Sequence, residues 1–279
     1  VLTGCAKNAS TSPGADSSKA PAIELKLSYP NAETSLTGQA YTYFAKTVEE
    51  ESKGQIKIKT YPAGSLVGNT EILNAIRQGN VDIGHFVTSY ITPVIKEMTP
   101  FEIPGAYSGS KYFELDKATH AIVEKIMAKY GVKYLAPTNQ DTSAFATRKK
   151  MIKAPADLKG LKVRSSGKWI GEAIKAWGGS AVTIPLGDIP VALERGAVDS
   201  AYTAWQIIGP YKLYEAGPYV TFTGMQEIFG GLMMSQKTWE KLNKEQQEAI
   251  MRAIPKFMDY DYKLTAQVKD KTIQDIKNA

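Results

Sequence analysis

The sequence predicts an α/β protein built from two similar lobes, and three observations carry that expectation. From residue 23 onward, strand-like alternation and helix-like spacing succeed one another. One helix-glycine-strand segment occurs twice, residues 71–86 lying over residues 188–203 at an offset of 117. The 279 residues, 43% apolar and 22% charged, can bury one large core or two of ordinary size.

Residues before 23 cannot pack. The stretch AKNASTSPGADSSKAPA, residues 6–22, is nearly all small and polar, and as a flexible chain it would span roughly 20 Å. Ahead of it stands LTGC, residues 2–5, whose spacing resembles the bacterial lipobox, in which a peptidase cuts before a cysteine that then carries lipid. Residues 1–4 are therefore expected to be a signal-peptide remnant and 5–22 a lipidated Cys5 with its tether. The alternative is a solitary thiol beside a polar tail.

IELKLSY (23–29) alternates as a strand, and residues 37–54 follow with helical spacing that ends on Gly54. QIKIKTYP (55–62) is a second strand stopped by Pro62, residues 68–78 a helix, and VDIGHFV (81–87) a third strand. This β-α-β-α-β order predicts a parallel sheet covered by helices. In the repeat, EILNAIRQGNVDIGHF lies over DIPVALERGAVDSAYT, so that Gly79 matches Gly196 and Asp82 matches Asp199. Each helix is predicted to end at a left-handed glycine.

Lobe one is thus expected over 23–138, with 221–279 returning to it and bridging, and lobe two over 139–220. The strands TFTG (221–224) and FGGLMMS (229–235) are both assigned to the return. A helical segment from Lys244 carries Pro255 as a stop or kink. It reaches Ala279 without a cap, so the natural chain is expected to continue.

The net charge of +6 is scattered, without the basic runs that grip nucleic acid, and no apolar stretch of about 20 residues is present. Catalytic patterns are sparse. The two histidines, His85 and His120, lack metal-ligand spacing, and neither G-x-S-x-G nor G-x-G-x-x-G occurs. GLKVRSSGKW fails as a phosphate loop because its glycines are seven apart and Trp169 stands where Ser or Thr is needed. No cofactor, metal or enzymatic activity is expected.

Arg164, in DLKGLKVRSSGKW (157–169), is the residue whose position asks for a ligand. One reading is a strand with Lys162 and Arg164 solvated on its outer face. The other notes that Arg164 closes its strand, where ligands lie in open α/β sheets, and that Ser165, Ser166 and Gly167 lead into a helix whose first N–H groups are free. A five-donor guanidinium in that setting suits a carboxylate.

At these residues the chain resembles the solute-binding proteins of tripartite ATP-independent periplasmic (TRAP) transporters, of the dicarboxylate-binding type. The resemblance covers Ile23 to about Lys271 and is carried by SKGQIKIKTYPAGSL (52–66), GNVDIGHF (79–86), PADLKGLKVR (155–164) and LGDIPVALERGAVDSAYT (186–203). It implies a two-lobed, type II periplasmic-binding-protein-like fold, each lobe a mixed sheet covered by helices, with a long C-terminal helical segment. It also implies an arginine, here Arg164, that salt-bridges an organic acid between the lobes.

Other pocket positions fall on Asn31, on Asn69 or Glu71, on Thr88 or Ser89, and on Thr203 flanked by Tyr202 and Trp205. Ser166 joins them from the Arg164 loop. A second family arginine has no match: its position is Ala144, with Arg148 nearby, which puts four-carbon dicarboxylates and sialic acid in question. Trp169, Tyr202, Trp205 and Phe145 are candidates for packing an apolar or aromatic ligand body, although core packing is the alternative for each. The implied function is capture of a small organic acid outside the cytoplasmic membrane and delivery to a TRAP permease. A ligand sensor for signalling and an extracellular lipoprotein enzyme are the rival uses of such a cleft.

Overall fold

The computed structural model describes residues 22–103, 105, 112–138 and 142–278. Cys5, residues 1–4 and the tether up to residue 21 lie outside the described residues. The first sheet forms from β1 (Ile23–Ser28), α1 (Leu36–Glu51), β2 (Ile56–Tyr61), α2 (Ile72–Gln78) and β3 (Ile83–Val87). A short α3 (Thr88–Ile91), a 3-10 helix (Lys96–Glu102), α4 (Tyr112–Ala128) and β4 (Val132–Pro137) complete this half.

The chain then enters the second sheet with β5 (Thr142–Thr147), β6 (Lys162–Ser165), α5 (Lys168–Ala176), β7 (Ser180–Thr183), α6 (Ile189–Glu194) and β8 (Ser200–Ala204). After α7 (Trp205–Ile208), α8 (Leu213–Ala216) and β9 (Tyr219–Glu227), it returns through β10 (Gly230–Ser235), α9 (Gln236–Lys241) and α10 (Lys244–Asn278).

The sheets have the orders β2-β1-β3-β10-β4 and β7-β6-β8-β5-β9. Each is a parallel trio, with an antiparallel strand against the third member and an edge strand beyond it. The sequence repeat is the structural repeat. Gly79 and Gly196 close their helical segments at φ 81° and 69°. The aspartate after each glycine pins the next strand to its neighbour: Lys26 N donates to Asp82 Oδ2 at 2.9 Å and Lys162 N to Asp199 Oδ2 at 3.0 Å.

The expectation that TFTG returns to lobe one is corrected. Residues 221–224 lie in β9, which pairs with β5 through Phe145↔Thr221 and Ala144↔Phe222, so only β10 crosses back. Four residues carry no register of their own; the free edge of β5 decides where they go.

Alternation sorts side chains to opposite faces of each sheet. In the second sheet Ala144, Ala146 and Ala201 pack with α6–α8, while Phe145, Val163 and Tyr202 pack with α5. In the first, Leu25 and Leu27 meet α1 and α10, whereas Phe86 and Met233 meet α2 and α4. Helix α10 begins on a reciprocal cap, Gln246 N donating to Asn243 Oδ1 at 2.9 Å and Asn243 N to Gln246 Oε1 at 3.0 Å. It passes through Pro255 as one helix, because Ile250, Ala253, Ile254 and Phe257 are buried against α1.

Phe257 is fully buried, 5.9 Å from the Tyr41 ring and 5.4 Å from that of Phe44. Phe257→Ala is expected to cost about 3–5 kcal/mol, read from urea unfolding. A loss under about 1 kcal/mol would show that α10 does not hold the first lobe.

Candidate functional site

Strands β1, β3, β6 and β8 end at the space between the two sheets, where a parallel sheet presents its loops. Arg164 is the third residue of β6, a strand paired on both edges by β7 and β8. Lys162 is exposed but Arg164 is only 2% exposed, which removes the solvated-face reading. Its Nε donates to Ile184 O at 2.8 Å, Nη1 to Tyr202 O at 2.8 Å and Nη2 to Tyr90 Oη at 2.7 Å.

Three of five guanidinium N–H groups are thereby used, leaving one on each terminal nitrogen. Among the described residues no carboxylate pairs with Arg164. Burial pulls its pKa down from the ordinary arginine value, the Tyr90 hydroxyl opposing. A guanidinium nonetheless stays protonated, so the site holds a buried positive charge whose partners are all neutral.

Arg164 forms the floor of a cavity of about 40 Å³. One wall comes from the first lobe: Pro30 and Asn31 after β1, Asn69 before α2, His85 and Val87 on β3, and Tyr90 on α3. The other carries Ser166, Leu186, Thr203, Ala204 and Ile207, with Ile228 at the crossing between sheets. Asn31 Oδ1 is buried there without a hydrogen-bond partner among the described residues. A neighbouring cavity of about 10 Å³, sharing Val87, Ser166 and Ile228, is bounded by Thr88, Ser89, Phe101, Glu102 and Phe229.

The structure thus brings Arg164, Asn31, Asn69, Ser166 and Thr203 to one cavity and places Thr88 and Ser89 at its neighbour. It does not bring the remaining expected residues there. Phe145 and Tyr202 face the α5 core, edge to face at 5.1 Å, and the Tyr202 hydroxyl donates to Ser143 Oγ at 2.6 Å. Only the Tyr202 carbonyl serves the site. Trp205 is buried in the α6–α8 core. Trp169 is exposed, its ring 5.0 Å from Lys168 Nζ. Glu71 is an exposed residue at the start of α2. The Arg148 guanidinium lies against the Gly196 turn. Burying a large aromatic face stabilises a lobe's own core more than a small cavity can use it.

Tyr90 was missed for a local reason. Strand β3 stops at Val87 and a helical turn begins at Thr88, whose Oγ1 donates to Phe229 O at 2.7 Å. Strand alternation therefore no longer applies, and the cavity receives Tyr90. His85, set aside above for lack of metal spacing, lines the cavity with Nδ1 2.5 Å from Tyr41 Oη. Burial pushes its pKa down to about 3, so the imidazole is neutral at physiological pH. Among the described residues no group of three or more His, Cys, Asp or Glu could hold a metal ion, and no helix is long and apolar enough to cross a membrane.

Residues 27–279 match the bacterial extracellular solute-binding protein family 7. A solute-binding protein of Albidiferax ferrireducens is 28% identical over 214 residues, 75% of this chain and 63% of its own length. The monocarboxylate 2-oxoacid-binding periplasmic protein of Nostoc sp. is 32% identical over 222 residues, 75% of this chain and 59% of that protein. The chain thus spans less than two thirds of either relative. Among solved structures, a TRAP periplasmic solute binding protein from Sulfitobacter sp. NAS-14.1 with bound β-D-galacturonate superposes with a TM-score of 0.88 at 23% identity, covering 92% of this chain and 86% of that one. The fold is therefore the two-lobed, type II arrangement of mixed sheets covered by helices, with a long C-terminal helix.

The neutral state of His85 has a measurable consequence. Between pH 6.5 and about 3 the unfolded chain binds a proton that the folded imidazole refuses, so His85 withdraws stability as the pH falls. The stability advantage of wild type over His85→Gln in urea unfolding should shrink by up to about 3 kcal/mol between pH 7 and pH 4. An advantage that stays constant would mean the folded state accepts the proton.

Proposed function

Because the chain belongs to family 7 of the bacterial extracellular solute-binding proteins, we propose that it captures a small monocarboxylate outside the cytoplasmic membrane and passes it to a TRAP-type permease. The observation that carries this reading is the buried guanidinium of Arg164, with one unused N–H on each terminal nitrogen and no carboxylate partner among the described residues. A carboxylate lying across that fork accepts two parallel, charge-assisted bonds and neutralises the charge. Both lobes contribute to the cavity, so the acid binds the closed arrangement better than the open one and shifts the population toward it.

The cavity also supports a choice among acids. The position of the family's second arginine is Ala144, fully buried in β5 opposite Thr203, so a second ligand carboxylate would meet no cation there. The walls near Arg164 are aliphatic, from Val87, Leu186, Ile207 and Ile228, and they replace the aromatic cushion expected from sequence. A volume of about 40 Å³ favours a short chain, which agrees with the 2-oxoacid named for the Nostoc relative and less well with a hexuronate. Attachment to the membrane through Cys5, read from LTGC, belongs to the same proposal and keeps the protein near its permease.

A thermal-shift screen of pyruvate, lactate, other short 2-oxo and 2-hydroxy acids, succinate and D-galacturonate tests the reading. A ligand at one hundred times its Kd adds about 2.7 kcal/mol and raises Tm by on the order of 5 °C. The short monocarboxylates are expected to give the largest shifts, and no shift from any carboxylate at millimolar concentration would sink the proposal. With the acid found, calorimetry on Arg164→Ala should show binding weakened roughly 30-fold or more, the removal of one partner of a buried charge pair costing about 2–5 kcal/mol.

A further inference from the structure

Glu102 ends the 3-10 helix of the first lobe and is only 1% exposed. Its Oε2 accepts a hydrogen bond from Thr92 Oγ1 at 2.6 Å within that lobe. Its Oε1 reaches the other lobe and accepts from Trp169 N at 3.1 Å. Trp169 is the second residue of α5, so this N–H is one that the helix itself cannot satisfy. The N-cap residue Gly167 has no side chain to offer. A first-lobe carboxylate therefore caps a second-lobe helix, with the Lys168 charge beside it and the positive end of the helix dipole facing it.

Gly167 makes the approach possible. Its φ of −174° is extended backbone open to any residue, so its own lobe does not require glycine. The other lobe does: a Cβ at Gly167 would stand 2.6 Å from Ser89 Cβ and 2.7 Å from Glu102 Oε1. Ser89 and Glu102, the residues this contact meets, bound the 10 Å³ cavity that adjoins the Arg164 cavity, so the seam lies beside the proposed ligand site.

We infer that Glu102 and Gly167 form a latch that draws the lobes together before the acid arrives. The free protein then populates the closed arrangement, and ligand affinity includes a closure already partly formed. The inference rests on the hinged capture proposed above only in that the lobes separate. Its test needs no ligand, so a failed acid screen leaves it standing.

The experiment places nitroxide labels at Lys96→Cys and Lys175→Cys, exposed positions on either side of the seam, in a Cys5→Ser background. Pulsed dipolar spectroscopy of the free protein then reads the fraction of molecules at the short, closed distance. Glu102→Ala and Gly167→Ala are each expected to cut that fraction at least threefold, with cooperative melting retained. Glu102→Gln, which keeps an oxygen for the Trp169 N–H, should fall between wild type and Glu102→Ala. Should Glu102→Ala fold poorly, Gly167→Ala decides, because the three atoms nearest its methyl group all belong to the opposite lobe. A wild-type free protein without a short-distance population, or variant distributions that superpose on wild type, would overturn the latch.

Discussion

One buried positive charge governs how this molecule is built. A guanidinium at the end of β6 cannot be left in an apolar interior, and it cannot shed its proton as a lysine would. Two neutral carbonyls and one phenol hold it in place, Ile184 and Tyr202 from its own lobe and Tyr90 from the other. These bonds orient the fork without cancelling its charge. The remaining attraction is directed at the cavity, and any anion admitted there is met by donors already in position.

The duplicated β-α-β trio explains why the charge faces a second lobe at all. In each sheet the aspartate after the left-handed glycine ties the third parallel strand to the first, so both trios present strand ends in the same way. The chain returns from β9 to β10 through Ile228, which lines the cavity. Helix α10, packed along α1, braces the first lobe on the face of its sheet that carries Leu25 and Leu27. The Tyr211 hydroxyl of the second lobe meets the loop after β1, donating to Pro30 O and accepting from Ala32 N, both at 3.2 Å.

Two polar contacts between the lobes work in different ways. Tyr90 couples the first lobe to Arg164, while Glu102 couples it to the N-terminus of α5. Tyr90 lies on α3 and Glu102 ends the 3-10 helix that follows it. Behind them the first sheet packs a buried apolar core on each face.

What the sequence determined by itself is local and periodic. Strand alternation, helix spacing, the glycines at 79 and 196, the matched aspartates and the position of Arg164 at a strand end are all legible along the chain, because each depends on neighbours a few residues away. Asn31, Asn69 and Thr203 come from the family resemblance, and Ser166 from its place in the loop after the Arg164 strand. Only the tertiary structure decided which side chains meet across the cleft. Tyr90 lies 74 residues from Arg164 and Glu102 lies 67 from Trp169, separations at which no periodic pattern survives. It also decided that Phe145, Tyr202 and Trp205 belong to cores and that β9 stays with β5. Those outcomes follow from burial on both faces of a sheet and from a free strand edge, and both exist only after the chain has folded.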